Sequence, residues 1–534
     1  MKIEILDCTL RDGAYICESN FGSQAIKGII RKSQDAGIDI IECGWLKDTP
    51  HAEGSSFFHE PDDLLPYFEK GRSDATYVVM IDWNRYNVDR LPVCNKTSID
   101  AVRVVFPHGK HKEGIEVGKK IMAKGYKVYF QAANTLAYSD DDLKELAEYI
   151  NEAHPVGVSI VDTFGAMYEN DLERIVNILN KQLDDGIKLG FHSHNNQQLS
   201  FSLCMSFIKL LEKTDRDVIV DSSLCGMGRG AGNAPTELIA NYINKSYHGH
   251  YDLDAIMDAI DTYMCYFQEK FQWGYSTPYF IAGMYCCHVN NIAYLTQNHR
   301  ATAKEMRNII ESMLPEDRIK YDYDLLESKY IENQSRIVED ENAIQNLKEI
   351  FANRSILLIA PGKSSIEDYD RIQKYIKEKH PIVIAVNALL NEYQYDYLFL
   401  ANKSRYNYAK ETRKEQFCQT KKILLSNIKT HAEADEYIIN YSRAIKRGWE
   451  HFDNAVICCL RILEKLHITN VSIAGFDGFK KVYNESYADE NLPTLNPDNK
   501  WDELNEEIKE IYHDFLNTAN YCKNISFLTE SIFE

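Results

Sequence analysis

Two separated segments of the sequence carry side chains that can together bind a divalent metal ion. Asp12 follows an apolar run at residues 3–6, and His192 and His194 end a second apolar run with one residue between them. Side chains at positions i and i+2 of a strand point to the same face, so both imidazoles can reach one ion. Two histidines and one carboxylate leave coordination positions open for a substrate. The pattern therefore predicts a catalytic metal site rather than a closed structural zinc site.

Arg11 places a guanidinium directly beside the candidate ligand Asp12. One interpretation is an anion-binding group at the end of the first strand, and the other is a structural ion pair with Asp7 or Asp12. Glu42 lies at the end of the second predicted strand. It either orients Arg11, acts as a base, or forms a structural ion pair.

A third segment is rich in glycine and reads Gly-Met-Gly-Arg-Gly-Ala-Gly-Asn-Ala-Pro over residues 226–235. Glycines let the backbone approach a ligand closely and can direct the start of the next helix toward an anion. Such segments are common, and its position after the last strand of this region is what favours an anion site.

These residues need a scaffold that brings strand ends together. From residue 1 to about 225, runs rich in β-branched or aromatic residues alternate with helical patterns, which indicates parallel strands joined by helices. Eight such units predict a (β/α)₈ barrel, with a doubly wound open sheet as the alternative. In a barrel the chemistry lies at the carboxyl ends of the strands. The predicted strands are 3–7, 39–43, 77–82, 101–106, 126–131, 158–162, 187–192 and 217–222.

Composition narrows the class of protein. A chain of 534 residues is too long for one core and predicts at least two domains. The net charge of −20 argues against a nucleic-acid or anionic-membrane surface. Thirteen cysteines without paired spacing indicate reduced thiols, and no apolar stretch is long enough to span a membrane. We therefore expect a cytoplasmic protein without a membrane or nucleic-acid partner.

The rest of the chain predicts two further parts. We expect the barrel over 1–250, a helical extension and linker over 251–350, and a Rossmann-like α/β domain over 351–534. The last part opens with a strand at 355–360 and a small-residue turn, and further strands are predicted at 382–386, 397–400, 422–426 and 471–475. Too few units remain for a second barrel, so an open parallel sheet is predicted.

The segments 7–13, 192–195 and 230–235 together resemble the pyruvate-carboxyltransferase-type, or hydroxymethylglutaryl-CoA lyase-like, metal-dependent TIM barrels. That superfamily includes hydroxymethylglutaryl-CoA lyase, isopropylmalate synthase and 4-hydroxy-2-oxovalerate aldolase, and the resemblance extends over residues 1–290. The segments 162–167 and 282–285 are most similar to the aldolase.

The resemblance implies a reaction and a set of roles. The reaction would make or break a C–C bond of a 2-oxo acid through a pyruvate-type enolate, with Mn, Mg, Co or Zn as the divalent ion. Asp12, His192 and His194 would bind the ion, with Asn233 as a further ligand. Arg11 would stabilise the enolate oxygen, and Thr163 would contact the substrate carboxylate.

Two positions depart from the aldolase pattern. Tyr15 occupies the place of the histidine taken as the base, and Ile281 aligns with an active-site tyrosine of the family. A phenol with a pKa near 10 is a poor base at neutral pH. Tyr15 therefore acts as an acid or an orienting residue, or the substrate differs. His108 and Tyr285 are the candidate replacements, His108 also as a substrate-binding residue, and each can equally be a packed surface residue.

The segments 358–365, 396–402 and 473–478 faintly resemble the Rossmann-type domain of bacterial sialyltransferase-like proteins. This implies a nucleotide-sugar partner, and the alternative is a domain that only positions the barrel or mediates assembly. From the combination of this domain with an aldolase-like barrel, we hypothesise a role in sugar or surface-polysaccharide synthesis. Two other functions stay open: an acyl-CoA-dependent Claisen-type acyltransferase, and a nucleotide-sugar-binding or transferase protein with the barrel as scaffold. We expect a homo-oligomer.

Overall fold

The computed structural model describes residues 1–69, 71–299, 301–480, 486–493 and 500–534. They form two compact units, the first covering 1–289 with 318–320 and the second covering 290–317 with 321–534. The domain boundaries at 250 and 350 expected from the sequence stay a prediction.

The first unit contains a closed barrel of eight parallel strands. Each strand pairs with the next, and β1 pairs with both β2 and β8, which closes the sheet. The predicted fold class is confirmed, and the open-sheet alternative for this region is wrong. The strands are β1 Ile3–Asp7, β2 Ile40–Leu46, β3 Thr76–Asp82, β4 Ala101–Phe106, β5 Lys127–Ala132, β6 Gly157–Asp162, β7 Lys188–Ser193 and β8 Val218–Ser222.

Most crossovers carry an amphipathic helix. The helix Ser23–Asp35, for example, buries Ile26, Ile29 and Ile30 on one face. After β2 the chain forms the two-residue strand Phe57–Phe58, which pairs with β2 outside the barrel, and the 3₁₀ turn Pro61–Tyr67; after β3 it forms the 3₁₀ turn Val88–Arg90. The other helices of this unit are Thr9–Asp12, His111–Ala123, Asp140–Ala153, Glu169–Gln182, Ser200–Leu211, Thr236–Tyr247, Leu253–Ala259, Cys265–Lys270 and Thr277–Met284, with a π-helical turn at Ile260–Met264.

Strand β2 contains an irregularity that affects the site. Its register against β3 shifts between Glu42 and Trp45. Gly44 lies within the shift at a φ of 148°, and a Cβ there would lie 2.1 Å from the carbonyl oxygen of Ser56. Side chains three apart in a regular strand point to opposite faces, and an inserted residue removes that constraint. Glu42 and Trp45 can therefore both contact Arg11, as described below.

The barrel interior is partly apolar and partly charged. One buried cluster combines Leu6, Ile40, Val78, Ala101, Tyr129 and Ile219. On β4, however, the side chain of Arg103 points inward and only 1% of its surface is exposed. A fully buried arginine requires partners, and these belong to the candidate site.

The second unit contains a seven-stranded parallel sheet of order β13-β12-β11-β10-β9-β14-β15. Five strands correspond to predicted ones. The edge strands β13 and β15 were not predicted, because both are four residues long and carry polar or half-buried positions. The strands are β9 Ile356–Ile359, β10 Ile382–Val386, β11 Tyr397–Leu400, β12 Lys421–Leu425, β13 Glu436–Ile439, β14 Asn470–Ala474 and β15 Asn524–Phe527.

The chain before this sheet is helical, as expected, but it is more packed than a linker with exposed loops. Ala303–Ser312 buries Met306, Ile309 and Ile310. The helices here are Val289–Gln297, Ala303–Ser312, Pro315–Arg318, Tyr323–Gln334 and Glu341–Phe351. Those within and after the sheet are Ser364–Glu367, Tyr369–Lys379, Lys403–Thr412, Lys414–Gln419, Ala455–Lys465 and Trp501–Thr518, with a 3₁₀ turn at Tyr441–Arg443. In the described part of the chain, no helix has the length and apolar character needed to cross a membrane.

Candidate active site

Three potential metal ligands converge at the carboxyl ends of β1 and β7. Asp12 ends the short helix that follows β1, His192 lies in β7, and His194 follows that strand. One ligand atom from each of the three lies within 4.8 Å of the others. The Nε2 atom of His194 is 3.5 Å from Oδ2 of Asp12. The two imidazole rings have centroids 5.0 Å apart and are nearly perpendicular.

Hydrogen bonds fix both imidazoles. Nδ1 of His192 lies 3.1 Å from Oδ2 of Asp221, and Nδ1 of His194 lies 3.1 Å from the carbonyl oxygen of Asp162. A histidine whose Nδ1 is held in this way presents Nε2 to a metal ion. Burial lowers the pKa of His192 although Asp221 opposes the shift, which favours the neutral, metal-binding imidazole.

The side chains present fit a divalent ion. Nε2 of His194 and Oδ1 of Asn233 are buried and make no hydrogen bond within the described residues. Buried polar atoms are nearly always satisfied, so two orphaned ones beside a carboxylate indicate a missing partner. Nδ2 of Asn233 donates to Oδ2 of Asp12 at 2.6 Å, which places this amide against the three ligands. Nitrogen and oxygen donors of this kind suit Zn, Mn, Co or Mg.

A buried charge network supports the ligands, and we define it as Arg11, Asp12, Glu42, Arg103 and Asp221. Nη1 of Arg11 donates to Asp12 at 2.6 Å, and Nε of Arg11 donates to Oε2 of Glu42 at 2.8 Å. Arg103 donates to the same Glu42 oxygen at 2.8 Å and also to Oδ2 of Asp221. The chain of contacts therefore runs from the candidate metal ligand Asp12 to Asp221, the partner of His192.

The network sets the ionisation of its carboxyl groups. Burial alone opposes ionisation of Asp12, but the charge of Arg11 outweighs it and holds the pKa of Asp12 well below its usual range. Burial likewise opposes ionisation of Asp221, and Arg103 reverses the effect and lowers its pKa. Both groups are therefore carboxylates at neutral pH.

The glycine-rich loop packs directly against Asp12. A Cβ on Gly228 would lie 2.6 Å from Oδ2 of Asp12 and 2.4 Å from Nδ2 of Asn233. The loop returns to the histidine segment, where the main-chain N–H of Asn195 donates to the carbonyl oxygen of Gly232 at 2.7 Å. The close approach explains why a residue without a side chain is needed at 228.

Comparison with known proteins identifies the barrel. The family model described as HMGL-like matches residues 2–262. A 4-hydroxy-2-oxovalerate aldolase from Thermomicrobium roseum is 30% identical over 276 residues, covering 48% of this chain and 71% of that protein. The chain belongs to the HMGL-like family. An oxaloacetate decarboxylase from Mycobacterium tuberculosis is 26% identical over 260 residues, covering 48% of this chain and 74% of that protein.

Among solved structures, a hydroxymethylglutaryl-CoA lyase from Brucella melitensis aligns with a TM-score of 0.40 and 16% identity, covering 50% of this chain and 99% of that one. The family model and the aldolase relative confirm the family predicted from the three motifs, which includes aldolases and lyases. These matches leave about half of the present chain uncovered.

Tyr15 lies at the mouth of the HMGL-like barrel, in the 3₁₀ turn Gly13–Tyr15. Its ring contacts Trp45 edge to face at 6.1 Å, and the guanidinium carbon of Arg229 lies 4.2 Å from its centroid. Although 41% of the residue is exposed, desolvation of its hydroxyl raises the pKa of Tyr15 to about 12. The phenol is therefore protonated at neutral pH, which disfavours a role as base and leaves a role as proton donor or orienting residue.

Thr163 and His108, two further residues predicted for the site, make different contacts. Oγ1 of Thr163, just after β6, accepts a hydrogen bond from the main-chain N–H of Asn134 at 2.7 Å. His108 packs on Tyr138 and pairs with Asp142 at 3.3 Å, so its contacts among the described residues are to the next crossover rather than to the ligands. Their proposed roles stay predictions.

The structure also places Ile281, Tyr285 and Asp7. Ile281 is buried, and Tyr285 has the guanidinium of Arg318 over its ring at 5.2 Å. Asp7 accepts hydrogen bonds from Oγ1 of Thr236 at 2.7 Å and from the main-chain N–H of Thr9 at 3.0 Å. These contacts support a structural interpretation of Asp7.

Sequence reasoning missed Arg103 and Asp221. Both lie inside strands that were correctly predicted as buried, β4 and β8. A charged residue within an otherwise apolar barrel strand was the available signal, because such a residue is rarely buried without a partner.

Proposed function

We propose that the HMGL-like barrel is a divalent-metal-dependent aldolase that acts on a 2-oxo acid through a pyruvate-type enolate. The observation that carries the proposal is the convergence of Asp12, His192 and His194 beside the Arg11 guanidinium, which is 2.6 Å from Asp12. A bound divalent ion would polarise the keto and carboxylate oxygens of the 2-oxo acid.

The chain's own residues supply the remaining functions. Arg11, held by Asp12 and Glu42, is preorganised to stabilise negative charge on the enolate oxygen. Because Oγ1 of Thr163 accepts a main-chain hydrogen bond, its hydroxyl proton remains for a substrate carboxylate. Glu42 contacts both Arg11 and Arg103, which supports an orienting role over a role as base.

The C–C step constrains the role of Tyr15. After loss of a methyl proton, the enolate carbon of the 2-oxo acid bonds to the carbonyl carbon of an aldehyde, and the aldehyde oxygen takes up a proton. The protonated phenol of Tyr15 suits proton donation in this direction. In the reverse direction, the same oxygen loses its proton as the C–C bond breaks.

Proton exchange tests the enolate without an aldehyde. Pyruvate incubated with the enzyme and Mn²⁺ in deuterium oxide is expected to gain deuterium in its methyl group, as followed by NMR. Arg11→Gln is expected to slow this exchange about 100-fold, since one preorganised charge stabiliser is lost. Arg31→Gln, on the outer helix Ser23–Asp35, is the matched control and should exchange normally. Absence of exchange in the unsubstituted enzyme would instead favour the acyl-CoA or scaffold alternatives.

A nucleotide-sugar partner for the second unit is a separate part of the proposal. A cleft with about 560 Å³ of empty space lies at the carboxyl ends of β9, β10 and β14. The strand order reverses between β9 and β14, and ligands of open parallel sheets bind at such a point. Arg405 lines this cleft, and its guanidinium carbon lies 5.1 Å from the ring centroid of Tyr487. If a nucleotide sugar binds there, the pairing with an aldolase supports a role in sugar or surface-polysaccharide synthesis.

Ligand-induced stabilisation tests this partner on the full chain. CMP-, UDP- and GDP-sugars are compared by thermal unfolding, and one class is expected to raise the melting temperature. A ligand at 100 times its Kd stabilises its binding unit by about 2.7 kcal/mol. Arg405→Gln should abolish the shift, whereas Arg371→Gln on the helix Tyr369–Lys379 should keep it. No shift with any of the three classes would contradict the nucleotide-sugar partner.

A further inference from the structure

Four side chains at the barrel mouth form a continuous row of contacts, and the function proposed above uses Tyr15 alone among them. We call it the cation–aromatic ladder, and it consists of Arg229, Tyr15, Trp45 and Lys47. Arg229 lies 4.2 Å from the Tyr15 ring centroid, and Tyr15 meets Trp45 edge to face at 6.1 Å. Nζ of Lys47 lies 4.4 Å from the Trp45 ring centroid. The ladder thus has a cation at each end and two aromatic rings between them.

Neither cation is neutralised by a carboxylate. Within the described residues, no Asp or Glu oxygen lies within 4.0 Å of Lys47 or Arg229, although the chain carries 80 acidic residues. Asp82 is the carboxylate whose field reaches Lys47, and it pairs with Arg85 at 3.9 Å. Cation–π contacts hold the two charges in place without cancelling them.

The environment of each cation strengthens this conclusion. Lys47 is half-buried, and this desolvation lowers the pKa of its ammonium group. Nη1 of Arg229 lies 3.4 Å from Nε2 of His288, and burial together with the charge of Arg229 lowers the pKa of that imidazole to about 4. His288 is therefore neutral and offers Arg229 a hydrogen-bond acceptor rather than a counter-charge.

The ladder borders the metal ligands. Arg229 directly follows Gly228, whose backbone packs against Asp12. Tyr15 lies three residues after Asp12, and Nε1 of Trp45 donates to the carbonyl oxygen of Arg11 at 3.1 Å. Because β8, β1 and β2 are neighbours in the barrel, the ladder crosses three adjacent loops beside the site.

We propose that Lys47 and Arg229 bind an anionic group, a carboxylate or a phosphate, on the aldehyde that adds to the enolate. This inference rests on the proposed aldolase function and adds the chemical class of the second substrate. Both cations are half-buried and lack a carboxylate partner among the described residues, so an anion beside the ladder can form a charge-assisted hydrogen bond with one of them while the charge of the other attracts it. The aromatic rings in the ladder give the carbon chain of the same aldehyde an apolar surface, and the Tyr15 hydroxyl lies within this group of residues.

Selectivity between charged and neutral aldehydes tests the inference. With pyruvate and Mn²⁺, kcat/KM is measured for glycolaldehyde phosphate against glycolaldehyde and for succinic semialdehyde against butyraldehyde. The unsubstituted enzyme is expected to prefer the anionic member of at least one pair about tenfold or more. A preference in the first pair indicates that the ladder binds a phosphate, and a preference in the second pair indicates that it binds a carboxylate. Lys47→Gln and Arg229→Gln are each expected to reduce this preference about tenfold, mainly through KM.

Several controls keep the result interpretable. The ratio of two aldehydes measured on one preparation does not depend on the folded fraction. Lys47→Arg and Arg229→Lys retain the charge and should retain most of the preference. Lys112→Gln should leave the preference unchanged, because Lys112 also lies over an aromatic ring, Tyr149, but pairs with Glu145 at 2.6 Å.

The outcomes separate the two proposals. Equal use of charged and neutral aldehydes, or a preference that survives both glutamine substitutions, would overturn the role of the ladder while the deuterium exchange still supports an aldolase. Loss of the exchange itself in the unsubstituted enzyme would overturn the aldolase function and the inference together.

Discussion

Alanine at either His192 or His194 is expected to remove the bound divalent ion and to lower pyruvate proton exchange at least about a thousandfold. Each substitution deletes one of the three candidate ligand side chains that converge within 4.8 Å. Elemental analysis of the purified proteins should find about one divalent ion per chain in the unsubstituted enzyme and far less in the two variants.

The hydrogen-bond partner of His192 provides a graded version of the same experiment. Asp221→Asn keeps all three ligands and alters the group that orients the imidazole, so metal affinity should fall about 10- to 100-fold rather than vanish. His154→Asn is the matched control, because His154 ends a helix in a left-handed conformation that asparagine tolerates. Full metal content in both alanine variants would rule out the proposed ligand set.

Replacement of Arg103 by methionine should destabilise the barrel by about 3–5 kcal/mol. The substitution fills the space with an apolar chain but leaves the buried carboxylates of Glu42 and Asp221 without their shared cation. Hydrogen exchange followed by mass spectrometry locates the effect, since amides of β4 and β8 should exchange faster than in the unsubstituted protein.

A second substitution distinguishes charge from packing. The double variant Arg103→Met with Asp221→Asn removes one of the two carboxylates left without a cation. It should restore part of the lost protection of the backbone amides against hydrogen exchange. If the double variant were as unstable as the sum of the two single variants, the ion pair would not be the cause.

Much of the barrel, and the convergence of the three candidate ligands, could be predicted from the sequence for a physical reason. Buried parallel strands are short apolar runs, and catalytic side chains lie at their carboxyl ends, so Asp12, His192 and His194 stand out at boundaries between apolar and polar sequence. The alternation of strands with amphipathic helices then sets the topology.

The interactions between these residues could not be predicted in the same way. The pairing of Arg103 with Asp221 joins residues 118 positions apart, and local patterns carry no information on such a contact. The register shift in β2 could not be predicted from the sequence either. It allows Trp45 and Glu42 to form hydrogen bonds with the same residue, Arg11. The short edge strands β13 and β15 lack the apolar runs that identified the central strands.

The net charge of the buried charge network also determines whether the site attracts an anion or a cation. Its three carboxylates, Asp12, Glu42 and Asp221, exceed its two guanidinium groups by one. On its own the cluster repels a 2-oxo acid, which is an anion, and attracts a cation. For the 2-oxo acid proposed as substrate, binding of the organic anion is therefore expected to require prior binding of a divalent cation, which would reverse the surplus.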